Sequence, residues 1–191
     1  MEIIYKKKAI EIIEQLGEKS YRVTFKGKTY FMKKFDNKNE FINHIDCSKY
    51  LKNCGVLLPK IYFKDKKQLF VLSEFIEAES PLLYLSKGPL DEAYYKSIFN
   101  IAFRSKIEGI NLNFSPENFK LKNGKLVYLN IQFEKYSEDR NFVNYYVKLW
   151  FHTKELVEHL KECNLPIECI KLKEEYETNK ELVLATIKYY M

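Results

Sequence analysis

Ile110-Asn111-Leu112-Asn113-Phe114-Ser115-Pro116-Glu117-Asn118-Phe119-Lys120-Leu121 is the stretch on which the fold turns. An asparagine-rich loop runs into an apolar segment, Asn118–Leu121. The turn Lys122-Asn123-Gly124-Lys125 and a second apolar segment, Leu126–Ile131, follow. Asn-Gly between two apolar runs predicts a two-residue hairpin, because both central positions of that turn need φ > 0. By themselves these residues also suit an ordinary asparagine-rich loop and hairpin.

Upstream, Ala9, Ile12, Ile13 and Leu16 recur at helical spacing before Gly17, which predicts a first helix over Ala9–Leu16. Tyr21–Phe25 and Thr29–Phe35, joined by Lys26-Gly27-Lys28, alternate apolar and polar residues and predict a hairpin. Asn37–Asn53 reads as a helix with Phe41, Ile45 and Ser48 on one face, Asn39 or Asp36 as its cap and Gly55 as its stop. Leu58–Phe63 and Gln68–Ser73 are two further strands around Lys64-Asp65-Lys66-Lys67. The order is β-β-α-β-β. From Glu77–Pro81 onward the pattern turns helical, over Leu90–Glu108, Asn144–Glu162 and Lys171–Tyr190. The expected fold class is α+β: an N-terminal antiparallel sheet with one helix over residues 1–76, then a mostly helical part over 77–191 that carries the hairpin.

Composition bounds what such a chain does. With 191 residues, 46% apolar and 30% charged, it can bury a core and does not read as disordered. Six glycines and five prolines argue against long linkers. No apolar run approaches the ~20 residues that span a bilayer. The start, MEIIYKKKAIEII, lacks a small-residue cleavage site, so no signal peptide and no membrane partner are expected and the cytoplasm is the default. Cys47, Cys54, Cys163 and Cys169 form no C-x-x-C pair, and His44, His152 and His159 make no zinc pattern with them, which predicts reduced thiols. His152 and His159, seven apart, are expected on one helical face at the surface, and Trp150 in the core. Residues 1–75 hold 16 Lys/Arg against 9 Asp/Glu, a net +7, whereas 76–191 hold 16 against 17, a net −1. Most of those lysines alternate with apolar residues as solvated faces do. Nucleic acid is therefore not the expected partner, although a nucleic-acid-associated protein using this charge stays open as an alternative.

The order of elements and the loop quoted first resemble the protein-kinase-like superfamily, in its compact small-molecule (aminoglycoside-type) kinases. The resemblance covers Gly17 to Phe133 and implies a two-lobed fold. In that family a strand lysine holds the nucleotide phosphates and a helix glutamate locks it. Lys33, in Tyr30-Phe31-Met32-Lys33-Lys34-Phe35, takes the lysine's place, with Lys34 the register alternative and Glu40 the partner. Val71-Leu72-Ser73-Glu74-Phe75-Ile76-Glu77 resembles the hinge, where the Glu74 carbonyl and the Ile76 N–H would meet an adenine edge. The catalytic loop reads Asp-Leu-x-Pro-x-Asn in the family. Pro116 and Asn118 fit it, Asn113 stands at the base position, and Asn130, in Tyr128-Leu129-Asn130-Ile131-Gln132, stands at the metal-binding aspartate.

Two amides therefore replace two carboxylates. A neutral amide has no useful basicity near pH 7 and brings no charge to a magnesium ion, for which Asn118 and Asn130 would be the ligands. Leu16-Gly17-Glu18-Lys19-Ser20-Tyr21 offers one glycine where phosphates need close backbone approach. The resemblance thus implies a pseudokinase that acts by binding, with another protein as partner and weak or absent nucleotide binding. The alternative is a divergent ATP-dependent small-molecule phosphotransferase. ATP with Mg²⁺ is the only cofactor the resemblance implies.

Overall fold

The computed structural model describes residues 3–167 and 184–188. Two units divide the chain, Met1–Lys49 with Leu58–Glu77 and Tyr50–Leu57 with Ala78–Met191. The fold class is α+β.

In the first unit, β1 (Ile3–Tyr5), β2 (Lys8–Gly17), β3 (Ser20–Phe25), β4 (Lys28–Lys34), β5 (Ile61–Asp65) and β6 (Phe70–Glu74) form one sheet in the order β1-β2-β3-β4-β6-β5. Every pairing is antiparallel. Side chains alternate between faces. One face carries Ile3, Tyr5, Ile10, Val23, Phe25, Tyr30, Met32, Phe70 and Leu72, all buried in one cluster. No helix is needed to cover this face, because the sheet curls until its edges meet. Tyr5 of β1 packs edge-on against Phe63 of β5 (5.8 Å) and Phe70 of β6 (5.7 Å), and Gln68 Nε2 donates to the Ile4 carbonyl at 2.6 Å. Register shifts at Ile12/Glu14 and Gln15/Gly17 in β2 and at Ile61/Phe63 in β5 are bulges, which sharpen the bend.

The helix expected over Ala9–Leu16 is strand β2. Its isoleucines are β-branched and restricted in a helix, and pairing with both β1 and β3 outweighs the helical spacing. The bulges bring Ile12, Ile13 and Leu16 to apparent helical spacing while all three stay exposed. The fifth and sixth strands lie two to three residues later than expected at their starts, after Pro59, which has no N–H to give a ladder. Helix α1 (Lys38–Asn53) buries Phe41, His44 and Ser48, with Phe41 5.7 Å from Phe35 edge to face.

The second unit contains α2 (Pro81–Leu85), α3 (Glu92–Ile107), β7 (Ile110–Asn111), β8 (Phe119–Lys122), β9 (Lys125–Tyr128), β10 (Glu134–Lys135) and α4 (Lys154–Glu162). β8 and β9 form the expected hairpin, with Asn123 at φ 50° and Gly124 at φ 71° in the turn. Trp150 is fully buried, and its indole N–H donates to the Phe114 carbonyl at 2.8 Å. The loop from Tyr50 to Leu57 joins this unit through Tyr50 stacked on Phe133 and the Tyr128 N–H donating to Leu57 O.

The single helix expected over Asn144–Glu162 is broken. A π-type turn over Phe142–Tyr146 and a 3-10 turn over Val147–Trp150 come first, and Phe151 is extended at φ −128°. Thr153 then caps α4, its hydroxyl accepting from Leu156 N at 3.1 Å and donating to Lys148 O at 2.8 Å. Burying Trp150 and satisfying Thr153 outweigh continuity of the helix. Of the expected helix Lys171–Tyr190 only residues 184–188 are described; they are helical, and Lys188 pairs with Glu92 at 2.8 Å. No described helix is long and apolar enough to cross a membrane.

Because Tyr5 pins the short first strand to the far edge of the sheet, Tyr5→Ala is expected to cost about 3 kcal/mol. Tyr5→Phe, which keeps the ring, is expected to cost under about 1 kcal/mol. Urea denaturation of the two variants against the native chain measures the difference.

Candidate functional site

On the sheet face opposite the cluster, β4 presents Phe31 and Lys33. Their cross-strand partners are Arg22 and Ser73 for Phe31, and Ser20 and Val71 for Lys33. Lys34 alternates to the other face, opposite Phe70. Burial pushes the Lys33 ammonium below the usual lysine range, and the nearby Glu40 partly offsets this. Among the described residues no ion pair joins Lys33 to Glu40.

The carboxylate of Glu40 is occupied elsewhere. Asn37 Oδ1 accepts from the N–H groups of Asn39 and Glu40, both at 3.0 Å. Glu40 reaches back to Asn37 Nδ2 at 2.8 Å and to the Asp36 N–H at 3.3 Å. This is a capping box with Asn37 as cap and Glu40 at the third helical position. The expected cap, Asn39 or Asp36, is one or two residues off. An asparagine three residues before a glutamate at a helix start is the signal that identifies the true one. The neighbour Lys33 does influence is His44. Burial, reinforced by the Lys33 charge, holds that imidazole down to about 4, and its ring lies 5.0 Å from Phe35.

At the end of β6, the Glu74 N–H donates to Lys60 O at 2.8 Å, and Ile76 is half-buried just beyond the strand. Between Lys33 and this segment the sheet face is filled. The Arg22 guanidinium stacks on Phe75, 4.8 Å from the ring centre, and pairs with Glu77 at 3.3 Å, while Arg22 Nε is buried without a hydrogen-bond partner. The turn between β2 and β3 has two residues, Glu18 and Lys19, with Gly17 opposite Ser20 and Lys19 ion-paired to Asp36. No long loop is available there to fold over phosphates.

In the second unit the loop after β7 brings the asparagines together. The Asn113 N–H donates to Tyr128 Oη (3.3 Å), and Asn113 Oδ1 accepts from the Ser115 N–H (3.1 Å), an Asx turn. Asn118 Nδ2 reaches the Asn113 carbonyl at 3.4 Å, and the Asn118 carbonyl accepts from the Leu129 N–H at 2.8 Å. Asn130 therefore stands one residue from a backbone pairing with Asn118; its carbonyl accepts from Gln132 N at 2.7 Å. Tyr128 Oη donates to Gln132 O at 3.2 Å, and burial raises its phenol well above the ordinary range. Lys33, Glu40, Glu74 and Ile76 belong to the first unit, and Asn113, Asn118 and Asn130 to the second.

One constellation escaped the sequence reading. Ser115 Oγ donates to Glu117 Oε1 at 2.7 Å, and His159 Nε2 lies 3.1 Å from Glu117 Oε2 and 3.5 Å from Ser115 Oγ. Ser115 is buried and its hydroxyl is directed at a carboxylate, so the group ties α4 to the loop and presents no nucleophile. His152, expected on the same helical face as His159, precedes α4, and its Nε2 lies 3.2 Å from Leu85 O. Cys47, Cys54 and Cys163 are free thiols, and Cys169 lies outside the described residues. No known protein family matches the chain, and no curated protein matches it significantly.

His44 fixes a pH dependence whose sign follows from its depressed folded-state value. The unfolded imidazole takes a proton near pH 6.5 and the folded one near 4, so the unfolded state binds more protons between these values. Stability is complete above about pH 6.5 and falls as the pH drops toward 4, by on the order of 3 kcal/mol. Denaturation at pH 7, 5.5 and 4.5 is expected to show that loss in the native chain and a smaller one in His44→Leu.

Proposed function

We propose that the chain is a two-lobed, protein-kinase-like pseudokinase that works by binding another protein and not by phosphoryl transfer. The observation that carries the reading is the asparagine loop. Each of the two positions at which phosphoryl transfer calls for a carboxylate holds an amide, and the backbone and side-chain bonds of Asn113, Asn118 and Tyr128 hold that loop in place. A curled antiparallel sheet with one helix, followed by a unit of helices and a hairpin, supports the same assignment.

The residues present fit a magnesium nucleotide poorly. A base bonded to the backbone at Glu74 and Ile76, with phosphates at Lys33, would have to lie over Phe31 and Ser73, where Arg22 stacks on Phe75. The locking role needs a free carboxylate, and Glu40 spends its own on the helix cap. Phosphates need a cradle of backbone N–H groups, and the β2–β3 turn is a tight two-residue connection. Asn118 and Asn130 would offer a divalent ion carbonyl dipoles without charge. Each of these weakens nucleotide affinity independently.

Calorimetry with ATP, with and without Mg²⁺, tests the reading. The native chain is expected to give no Mg²⁺-dependent heat and no turnover, and robust turnover abolished by Lys33→Ala would overturn the proposal. Asn130→Asp is expected to introduce the first Mg²⁺ dependence, since it adds one negative charge beside Asn118. Asn113→Asp alone is expected to leave binding unchanged, because a base contacts substrate and not metal. Ligand held at 100 times its dissociation constant raises stability by about 2.7 kcal/mol, so a thermal-shift series reads the same effect.

A further inference from the structure

The antiparallel order places the β1–β2 turn (Lys6, Lys7) and the β3–β4 turn (Lys26, Gly27) at the same end of the first unit's sheet. The residues that follow the two turns, Lys8 and Lys28, open β2 and β4 at that end. All five lysines are exposed, and among the described residues none of them makes an ion pair. Lys6 and Lys26 lie over the rings of Tyr5 and Phe25, each 5.4 Å from the centre, so the ammonium groups sit above aromatic side chains that are themselves buried. The opposite end of the sheet is neutralised. There Lys19 pairs with Asp36, and Asp65 accepts from the N–H groups of Lys67 and Gln68 inside the Lys64–Lys67 turn. Nor are the acids toward the lysine end available: Glu77 is engaged by Arg22, and Glu74 Oε2 accepts from the Lys60 N–H at 3.5 Å.

The turns bear this charge at a conformational cost. Lys6, Lys7 and Lys26 have φ of 49°, 64° and 52°, where asparagine or glycine is the natural residue. A lysine-rich tip in that conformation gains nothing for the fold that Asn-Gly would not supply better. Two strand spacings separate the tips, roughly 10 Å, so the five ammonium groups make a short row and not a single point.

We infer that this lysine row binds the phosphate backbone of a nucleic-acid duplex, without reading sequence. A duplex is favoured by density of charge, about one phosphate per 1.7 Å of axis. A single strand is usually held by bases stacking on exposed rings, and the rings here lie beneath the lysines. A bilayer would gain from an apolar wedge, and positions 6–8 and 26–28 are all lysine or glycine. Lysine acts on phosphate as a point charge, so no base preference arises. This inference is independent of the pseudokinase proposal, since it uses only the turn end of the sheet.

Fluorescence anisotropy of the full chain with labelled 20-base-pair DNA and RNA duplexes, from 50 to 200 mM salt, tests it. Binding is expected to weaken with salt at about −0.9 in log K per phosphate neutralised, a total slope of roughly −3 to −4.5. The variant Lys6→Asn/Lys7→Gly/Lys26→Asn suits the same backbone and is expected to keep or raise the melting temperature. It is also expected to lose at least tenfold in affinity at 50 mM salt and to flatten the slope by roughly 2.7. Lys64→Gln/Lys66→Gln/Lys67→Gln, at the other end, is expected to bind as the native chain does. Absence of salt-dependent duplex binding would overturn the inference, as would equal loss in the two triple variants. Tighter binding to the single strand, or capture by phosphatidylserine vesicles without duplex binding, would overturn it in favour of those ligands.

Discussion

Contact between the two edges of the curled sheet, made by Tyr5 against Phe63 and Phe70, is the constraint on which the first unit depends. A six-stranded antiparallel sheet has one face to bury, and ordinarily a helix layer or second sheet buries it. Here the bulged strands bend the sheet onto itself, and Phe25, Tyr5, Phe63 and Phe70 meet edge-on at 5.4 to 5.8 Å. Edge-to-face rings suit a curved interior because each positive rim meets a negative face. The opposite face is thereby left to Arg22, Phe31, Lys33, Val71 and Ser73, which is where any ligand chemistry of this unit has to be placed.

The second unit is organised by hydrogen bonds in place of such closure. Phe114 and Trp150 are both buried, and the indole N–H takes the Phe114 carbonyl, so a core contact also satisfies a loop carbonyl. Tyr128 does the same for the Asn113 N–H and the Gln132 carbonyl. Asparagine suits this loop physically, since one amide both accepts a turn hydrogen bond and donates across the loop without adding charge to a partly buried site. A carboxylate at the same position would bring charge that needs a cation to balance it.

Parts of this were legible before any coordinates. The Asn123-Gly124 hairpin, the β3–β4 hairpin and the bodies of α1 and α3 follow from local rules, and the structure contains them. Placing Lys33 in β4, on the face away from Met32, also follows from period-two alternation. Glu40 shows where local rules mislead: an acid in the helix after a strand lysine reads as its partner, yet the Asn37 cap three residues earlier claims the carboxylate. Ser115, Glu117 and His159 could not be assembled from sequence, because 42 residues separate the glutamate from the histidine.

By itself, the sequence determined the elements whose signals are short-ranged: turns that need φ > 0, strands that alternate, helices with a glycine stop, and the amide chemistry of Asn113, Asn118 and Asn130. Only the tertiary structure decided that Lys8–Gly17 is a strand, because β-branched residues with helical spacing are settled by the partners β1 and β3. It alone decided that the chain after Phe142 breaks before Thr153, because burial of Trp150 at zero exposure outweighs helical continuity. Lysines 6–8, 26 and 28 were likewise visible as charges, but strand order is what gathers them at one end of the sheet. The physical reason is common to all three: backbone preferences act over a few residues, whereas burial, pairing and charge clustering depend on residues that only the folded chain makes neighbours.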